Sequence, residues 1–228
     1  MTNFYNRRLI QTADGSYTLY LPEMNEHYHS IHGALHESMH VFIREGLDKV
    51  IQPGATKINI LEVGLGTGLN ALLTLMRSAE TGCSVNYLAL EPYPLNREEV
   101  AALNYIDLAG EEMPEKAFRQ MHELPFFEKE RIITGFEFEK WHHKVHEASL
   151  PAESFDLVYF DAFGPQVQPE LWTEKVFAGL FASMKPGGVI ATYSAKGSVK
   201  RTLKACGFLL EHPPGPKGKR EMTRGVKP

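Results

Sequence analysis

Three carboxylates stand at the ends of apolar runs in this chain of 228 residues: Glu62 closes the run from 58, Glu91 follows 85–90 and Asp161 follows 155–160. Short apolar runs bounded by turn residues predict buried strands. Glu62 is followed at once by Val63-Gly64-Leu65-Gly66-Thr67-Gly68-Leu69-Asn70. Three alternating glycines after a strand predict a tight turn into a helix that begins near Leu69. Glycine permits positive φ and lets a ligand come close to bare backbone. In an open parallel sheet the ligand sits outside the carboxyl ends of the strands. One rim would therefore gather Glu62, Glu91 and Asp161 around a glycine cradle. A single strand-end carboxylate is often only a helix cap, but three on one rim point to a site that welcomes positive charge.

The details of the loop decide which nucleotide-like ligand fits. No Lys-Ser or Lys-Thr follows it, which excludes a phosphate-binding NTPase loop. A dinucleotide fingerprint fits poorly, because the third glycine comes one residue early and position 69 is Leu. A carboxylate such as Glu62 also repels a pyrophosphate, by roughly 4 kcal/mol at about 4 Å and an effective dielectric of about 20. S-adenosylmethionine (SAM) carries no phosphate and has a sulfonium cation, so it is the favoured ligand. A dinucleotide or a purely structural glycine turn are the alternatives. Glu91, 23 residues after Gly68, is suited to accept both ribose hydroxyls, as the acid at that point does in dinucleotide folds.

The elements that must carry these residues can be read from the same pattern. Apolar runs at 58–63, 85–90, 131–134, 155–160, 188–193 and 208–211 alternate with helical stretches near 69–80, 95–109, 114–122, 170–184 and 196–205. Residues 219–226 are a more polar final strand candidate. Such alternation predicts an α/β fold, a mostly parallel seven-stranded sheet with helices on both faces. Residues 7–12 and 16–21 flank Asp14-Gly15, a hairpin signal, and 34–50 is helical in pattern. The expected organisation is a small N-terminal hairpin and helix, 1–50, packed on a catalytic domain, 51–228. The segment 104–130 reads as a helical insertion, with Ile106, Leu108, Met113, Phe118, Met121, Leu124 and Phe126 available to cover a core.

Composition narrows the function further. Net charge is −4, which by itself argues against nucleic acid. Residues 196–228, however, hold nine Lys or Arg against two acids, +7, and leave −11 on the rest. This split suits a basic face for a polyanion, with a merely solvated tail as the alternative. Lys196, Lys200, Arg201, Lys219 and Arg220 are the candidates. No run approaches the ~18 apolar residues of a membrane helix, and the N-terminus lacks the apolar core of a signal peptide. Cys83 and Cys206, far apart, are expected to be reduced cytoplasmic thiols. His32, His36 and His40 would share a helical face if the helix reached His32, but no carboxylate or thiol motif completes a ligand set, and no metal is expected. His142, His143 and His146 read as surface helix. No Gly-x-Ser-x-Gly hydrolase elbow is present.

Several longer blocks carry a resemblance. They are Tyr28-His29-Ser30 with Gly33-Ala34-Leu35 and Glu37, then 62–70, then Glu91-Pro92-Tyr93-Pro94-Leu95. Asp161-Ala162-Phe163-Gly164-Pro165 follows, with Leu171-Trp172-Thr173 and Lys219-Arg220-Glu221-Met222. From about 28 to 226 the chain resembles the methyltransferase half of the bifunctional tRNA-modifying enzyme MnmC and its stand-alone counterparts, MnmD. The glycine loop is shared by many SAM enzymes; the last three blocks together are far more specific.

The resemblance implies a Rossmann-like class I SAM methyltransferase acting on the exocyclic amine of 5-aminomethyl(-2-thio)uridine at tRNA position 34, the wobble position. It implies no flavin oxidase half, and hence no action on the carboxymethyl precursor. Tyr28, Ser30, Glu62, Gly64, Gly66, Gly68, Asn70, Glu91, Pro92 and Asp161 would hold the cofactor. Asp161 would orient the amine and help its proton leave. Phe163, Trp172 and Tyr193 are the candidates to stack on the uridine, with ordinary core packing as the alternative for each. Where the family often has Gly-Asp, this chain has Gly135-Phe136-Glu137, so the acidic contact to the adenosine either passes to Glu137 or is lost. The turn before Lys-Arg-Glu-Met also differs, reading Pro214-Gly215-Pro216-Lys217-Gly218. The alternatives are a SAM enzyme acting on a small-molecule or protein amine, and a non-catalytic nucleotide- or RNA-binding module.

Overall fold

Alternating apolar runs and helices produce one eight-stranded sheet. The computed structural model describes residues 6–51, 56–109 and 112–228, for 109 and 112–114 the backbone alone. An antiparallel sheet of β1 (Arg8–Gln11), β2 (Tyr17–Leu21) and β3 (Glu26–His27) comes first. Its first turn holds Asp14, whose Oδ1 accepts from Ser16 N (3.1 Å) and Thr12 Oγ1 (2.8 Å). A helical segment follows: α1 (Ala34–Ser38), a π-helical stretch Met39–Leu47, and α2 (Asp48–Val50).

The main sheet begins with β4 (Lys57–Val63), α3 (Leu69–Thr81) and β5 (Ser84–Leu90). Then come α4 (Arg97–Ala101), α5 (Tyr105–Ala109), α6 (Glu112–Glu123), β6 (Lys129–Ile133) and β7 (Phe136–Trp141). The second half comprises β8 (Phe155–Phe160), α7 (Glu174–Ser183), β9 (Met184–Thr192), α8 (Gly197–Ala205), β10 (Leu209–Glu211) and β11 (Thr223–Val226). Strand order is β10-β11-β9-β8-β4-β5-β7-β6. The five central strands are parallel; β6, β11 and β10 join antiparallel. The order in which strands are added reverses between β4 and β8, the switch point where such sheets open a crevice.

The fold class stands, with one strand more than the seven expected. The run at 131–134 is not the third parallel strand but part of the antiparallel edge β6. Gly135, at φ 82°, turns it into β7. The helix expected over 95–109 is two helices, α4 and α5. That over 170–184 starts only at Glu174, where Thr173 caps it by accepting from Val176 N at 3.4 Å. The insertion covers the core through Phe118, Met121 and Leu124, whereas Leu108 is exposed. Met113 lies outside the described side chains.

Two hydrophobic clusters sandwich the sheet. Successive strand residues face opposite sides, so Ile58 and Ile60 join Phe42, Leu72 and Phe118 on one face while Leu61 and Val63 join Trp172, Phe177 and Leu203 on the other. The same alternation sends Glu62 and Asp161 to the α3 face, toward Asn70. Among the described residues no helix is long and apolar enough to cross a membrane.

Candidate active site

The glycine loop leaves β4 and opens a cleft at the carboxyl ends of β4, β5 and β8. Residues 63–67, 90–93, 143–145 and 161–163 line it, with Tyr28 and His29. Two glycines are required by their neighbours. Gly64 has φ 91°, and a Cβ there would meet the Asp161 carbonyl oxygen at 2.9 Å. Gly66 has φ 53°, and a Cβ would meet the Tyr28 ring at 3.0 Å. Glu91 ties the loop down: its two oxygens accept from Gly66 N at 2.7 Å and Tyr93 N at 2.6 Å. Burial raises its pKa against these two hydrogen bonds. Each carboxylate oxygen keeps a second lone pair for a ligand hydroxyl.

Asp161 forms the wall between this cleft and a second hollow. Tyr28, His29, Asp161, Ala162 and Phe163 line both. The hollow, of about 340 Å³, also takes in Glu26, Ser30, Glu37, Tyr193 and Lys219. Asn70 Nδ2 donates to Asp161 Oδ2 at 2.9 Å and to Glu62 Oε1 at 3.0 Å. Burial raises the Asp161 pKa to about 7; repulsion from Glu37 adds to this, while the Asn70 hydrogen bond and Lys219 oppose it. A carboxyl group so poised can exchange a proton near neutral pH.

Tyr28 covers the loop from above. Its hydroxyl accepts from Arg7 Nε at 2.9 Å, and its ring meets Phe163 edge-on at 5.2 Å. Ser30 borders the hollow rather than the cleft and gives its N–H to Glu37 Oε2 at 2.7 Å. Tyr193 donates to Ala162 O at 2.9 Å and lies under the Lys219 ammonium, 4.1 Å from its ring centroid. Beyond Tyr193 and Lys219 the hollow adjoins a groove lined by residues 164–166 and 193–196, Arg220 and Glu221.

Tyr28, Gly64, Gly66, Glu91, Pro92 and Asp161 all border the cleft. Glu62, Gly68 and Asn70 sit behind it. Glu62 is fully buried, its pKa pushed well up by burial, and it meets the site through its hydrogen bond from Asn70. Gly68 caps α3 in the left-handed conformation, against His122. Glu137 is a correction. In β7 it sits opposite Asn86, near the amino end of β5, and pairs with Lys129 at 2.7 Å. The cleft instead meets the opposite end of β7, through His143, Lys144 and Val145.

Trp172 is a second correction. It is buried at 6% exposure, packs on Phe160 and Phe177 and donates Nε1–H to Phe163 O at 2.8 Å. It shapes the turn that carries Phe163 but offers no face to a base. No helix forms over 142–146.

The basic residues divide. Lys200 pairs with Glu221 (2.7 Å) and Lys219 with Glu37 (2.8 Å). Lys196 bonds Gln166. Among the described residues Lys196, Arg201, Lys204, Lys217 and Arg220 have no ion pair.

The helix begins at Ala34, so His32 precedes it. His36 lies 3.5 Å from Asp14, and His40 is 2.7 Å from Pro214 O. Among the described residues no group of three His, Cys, Asp or Glu side chains is arranged to hold a metal.

Fold and cleft define a Rossmann-like α/β protein that takes a nucleoside-bearing ligand at its glycine loop. The chain belongs to the S-adenosyl-L-methionine-dependent methyltransferase family, whose model matches residues 113–228. It is similar to the tRNA 5-methylaminomethyl-2-thiouridine biosynthesis bifunctional protein MnmC of Cupriavidus metallidurans, at 33% identity over 94% of this chain and 33% of that protein. The Aeromonas hydrophila protein of the same name is 30% identical, over 99% of this chain and 36% of its own length. The chain thus spans about a third of these relatives. The solved structure of MNMC2 from Aquifex aeolicus shares the fold at a TM-score of 0.78 and 24% identity, covering 100% of this chain and 72% of that one. Spermidine synthase from Thermotoga maritima shares it more loosely, at a TM-score of 0.53 and 12% identity, over 98% of this chain and 74% of that one.

The residues present fit SAM. Gly64 and Gly66 present bare backbone to the cleft, and Glu91 offers a buried carboxylate beside them.

Proposed function

We propose that this methyltransferase acts on the primary amine of 5-aminomethyl(-2-thio)uridine at the wobble position of tRNA, giving the 5-methylaminomethyl product. One observation carries the reading: Asp161 belongs to the walls of both the cofactor cleft and the hollow beside it. A substrate amine in the hollow would meet its carboxylate at the boundary. The role named for the MnmC relatives, biosynthesis of 5-methylaminomethyl-2-thiouridine in tRNA, supports the choice of amine.

When bound, SAM supplies an electrophilic methyl group on a sulfonium. Residues 64–67, Glu91 and Pro92 would hold it, with Tyr28 above. The protein's part is to present a free lone pair. An ammonium has none, so a proton must leave, and Asp161, with its pKa raised to about 7, is suited to take it. Asn70 fixes the carboxylate by its hydrogen bond to Oδ2. Alignment of the amine alone can supply about 7–11 kcal/mol of the acceleration. Phe163, and Tyr193 at the outer wall, offer ring surface to a splayed-out uridine.

The groove bearing Lys196, Lys219 and Arg220 would follow the anticodon-loop backbone. Phosphate contacts release counterions, so tRNA affinity should fall steeply with salt. Changing Lys196 and Arg220, both on the groove wall, together to alanine should weaken binding and reduce the log–log salt slope by about 1.4–1.8, the value for two lost phosphates. Filter binding across a salt series measures it, and an unchanged slope would reject these two contacts. The central experiment supplies labelled SAM and tRNA lacking only the final methyl group, with nucleoside mass spectrometry of the product. Methylation of free amines or proteins, with tRNA untouched, would overturn the reading.

A further inference from the structure

The hollow beside Asp161 is acidic inside a basic rim. Glu26, Glu37 and Asp161 line it, against the single ammonium of Lys219. Its histidines are His27, His29 and His32; His29 is buried, bonded to Thr18 Oγ1 at 2.9 Å, and its pKa is lowered to about 4 by burial, so it is neutral. Immediately outside, the groove wall carries Lys196, Lys219 and Arg220. A negative hollow behind a positive rim matches a cationic group carried on a polyanion.

Glu37 is the carboxylate whose role nothing so far explains. It is only 7% exposed, yet it sits on α1, away from the strand ends that gather the other acids. A buried carboxylate is costly unless it is paired and hydrogen-bonded. Here the pairing is lopsided. Ser30 N–H, a fixed backbone donor, takes Oε2 at 2.7 Å, while the Lys219 ammonium reaches in from the rim to Oε1 at 2.8 Å. The Lys219 side chain is 35% exposed and rests on the Tyr193 face, which can hold a cation whether or not Glu37 is engaged. The protein's own ammonium therefore occupies a place that another ammonium could take.

We infer that Glu37 is a specificity-determining residue: its carboxylate receives the substrate's ammonium in place of Lys219, and it rejects an arm that ends in a carboxylate. The inference rests on the proposed amine-methylating function and adds a selector to it. The arm then lies between Glu37 and Asp161, and Lys219 is released toward the phosphates at the rim. An arm bearing a carboxylate would instead meet Glu26, Glu37 and Asp161 in a confined space, and like charges there are a strong element of discrimination.

The test uses the full chain and two tRNA probes, one with the 5-aminomethyl arm and one with the 5-carboxymethylaminomethyl arm. KM is measured for the first, and the inhibition constant for the second. Glu37→Gln keeps the size and an oxygen for Ser30 N–H but removes the charge. It should raise KM about 10–100-fold, as expected for a lost hydrogen bond to a charged group, and should tighten inhibition by the carboxymethyl probe. Lys219→Ala, on the exposed rim, should move the ratio of the two constants the opposite way, whatever it does to tRNA affinity in general. SAM affinity by calorimetry should stay unchanged in both, which a merely structural defect at Glu37 would not allow. Opposite shifts support the inference, and any other pattern of the two ratios overturns it. Failure of the wild-type chain to methylate the aminomethyl probe would instead sink the proposed function.

Discussion

Asp161→Ala should lower turnover by about 10²–10⁴-fold, the usual contribution of a positioned acid–base group, while SAM affinity changes little. The asymmetry follows from the geometry. The loop that would cradle the cofactor is held by Glu91 through Gly66 N and Tyr93 N, not by the Asp161 side chain. The Asp161 carboxylate is held by Asn70 and faces the hollow as well as the cleft. Single-turnover methylation under saturating SAM and tRNA reads the effect, and near-normal turnover would remove Asp161 from the mechanism. The ionised carboxylate is the competent form, so the rate should rise as pH passes through about 7.

The same shift has a stability consequence of definite sign. The folded-state pKa lies above the ordinary 3.8, so the native protein binds this proton more tightly than the unfolded chain does. The stabilisation is complete below the unfolded pKa and is lost as pH rises through about 7. Asp161→Asn cannot ionise. It should therefore gain stability relative to the wild type on going from pH 5 to pH 8, which thermal melts at the two values would detect. Such a gain accompanying lost turnover is expected of a group kept in an unfavourable state for function.

How far the sequence reveals this site depends on the kind of signal. The apolar runs ending at Glu62, Glu91 and Asp161 were legible because central parallel strands are apolar on both faces. They located β4, β5 and β8, and with them the cleft. β7 was missed for the complementary reason. Residues 136–141 alternate, with Phe136, Phe138 and Lys140 buried, and half-buried alternation does not stand out beside continuous runs. That omission shifted the expected acidic contact to Glu137, at the wrong end of the strand, and hid Val145 on the cleft wall.

Trp172 went astray differently. An aromatic in a site-bearing block can be platform or core, and only packing on Phe160 and Phe177 separates the two. Glu62 stands on the expected rim, but strand alternation turns its side chain under α3, where it supports Asn70. Strand-end position alone could not distinguish an acid that faces the ligand from one that holds the residue facing it.

Glu91→Ala should weaken SAM binding by about 10²-fold or more, with the loss in affinity exceeding any loss in fold. The carboxylate has two duties on the same two oxygens. It accepts the N–H groups of Gly66 and Tyr93, and burial leaves those donors no easy substitute. Each unsatisfied donor costs about 1–3 kcal/mol. If its remaining lone pairs take the ribose hydroxyls, hydrogen bonds to a charged acceptor are lost as well, at about 1.5–3 kcal/mol each. Calorimetry with SAM measures the sum, and a melt of the ligand-free protein separates the part due to the loop. Glu91→Gln makes the sharper test. Whichever way its amide is turned, the NH₂ group faces one of two backbone donors. A glutamine should therefore fail to restore binding although it fills the same volume. Affinity close to that of the wild type in Glu91→Gln would mean that the side chain acts by bulk, and that neither the loop nor the ribose depends on its charge.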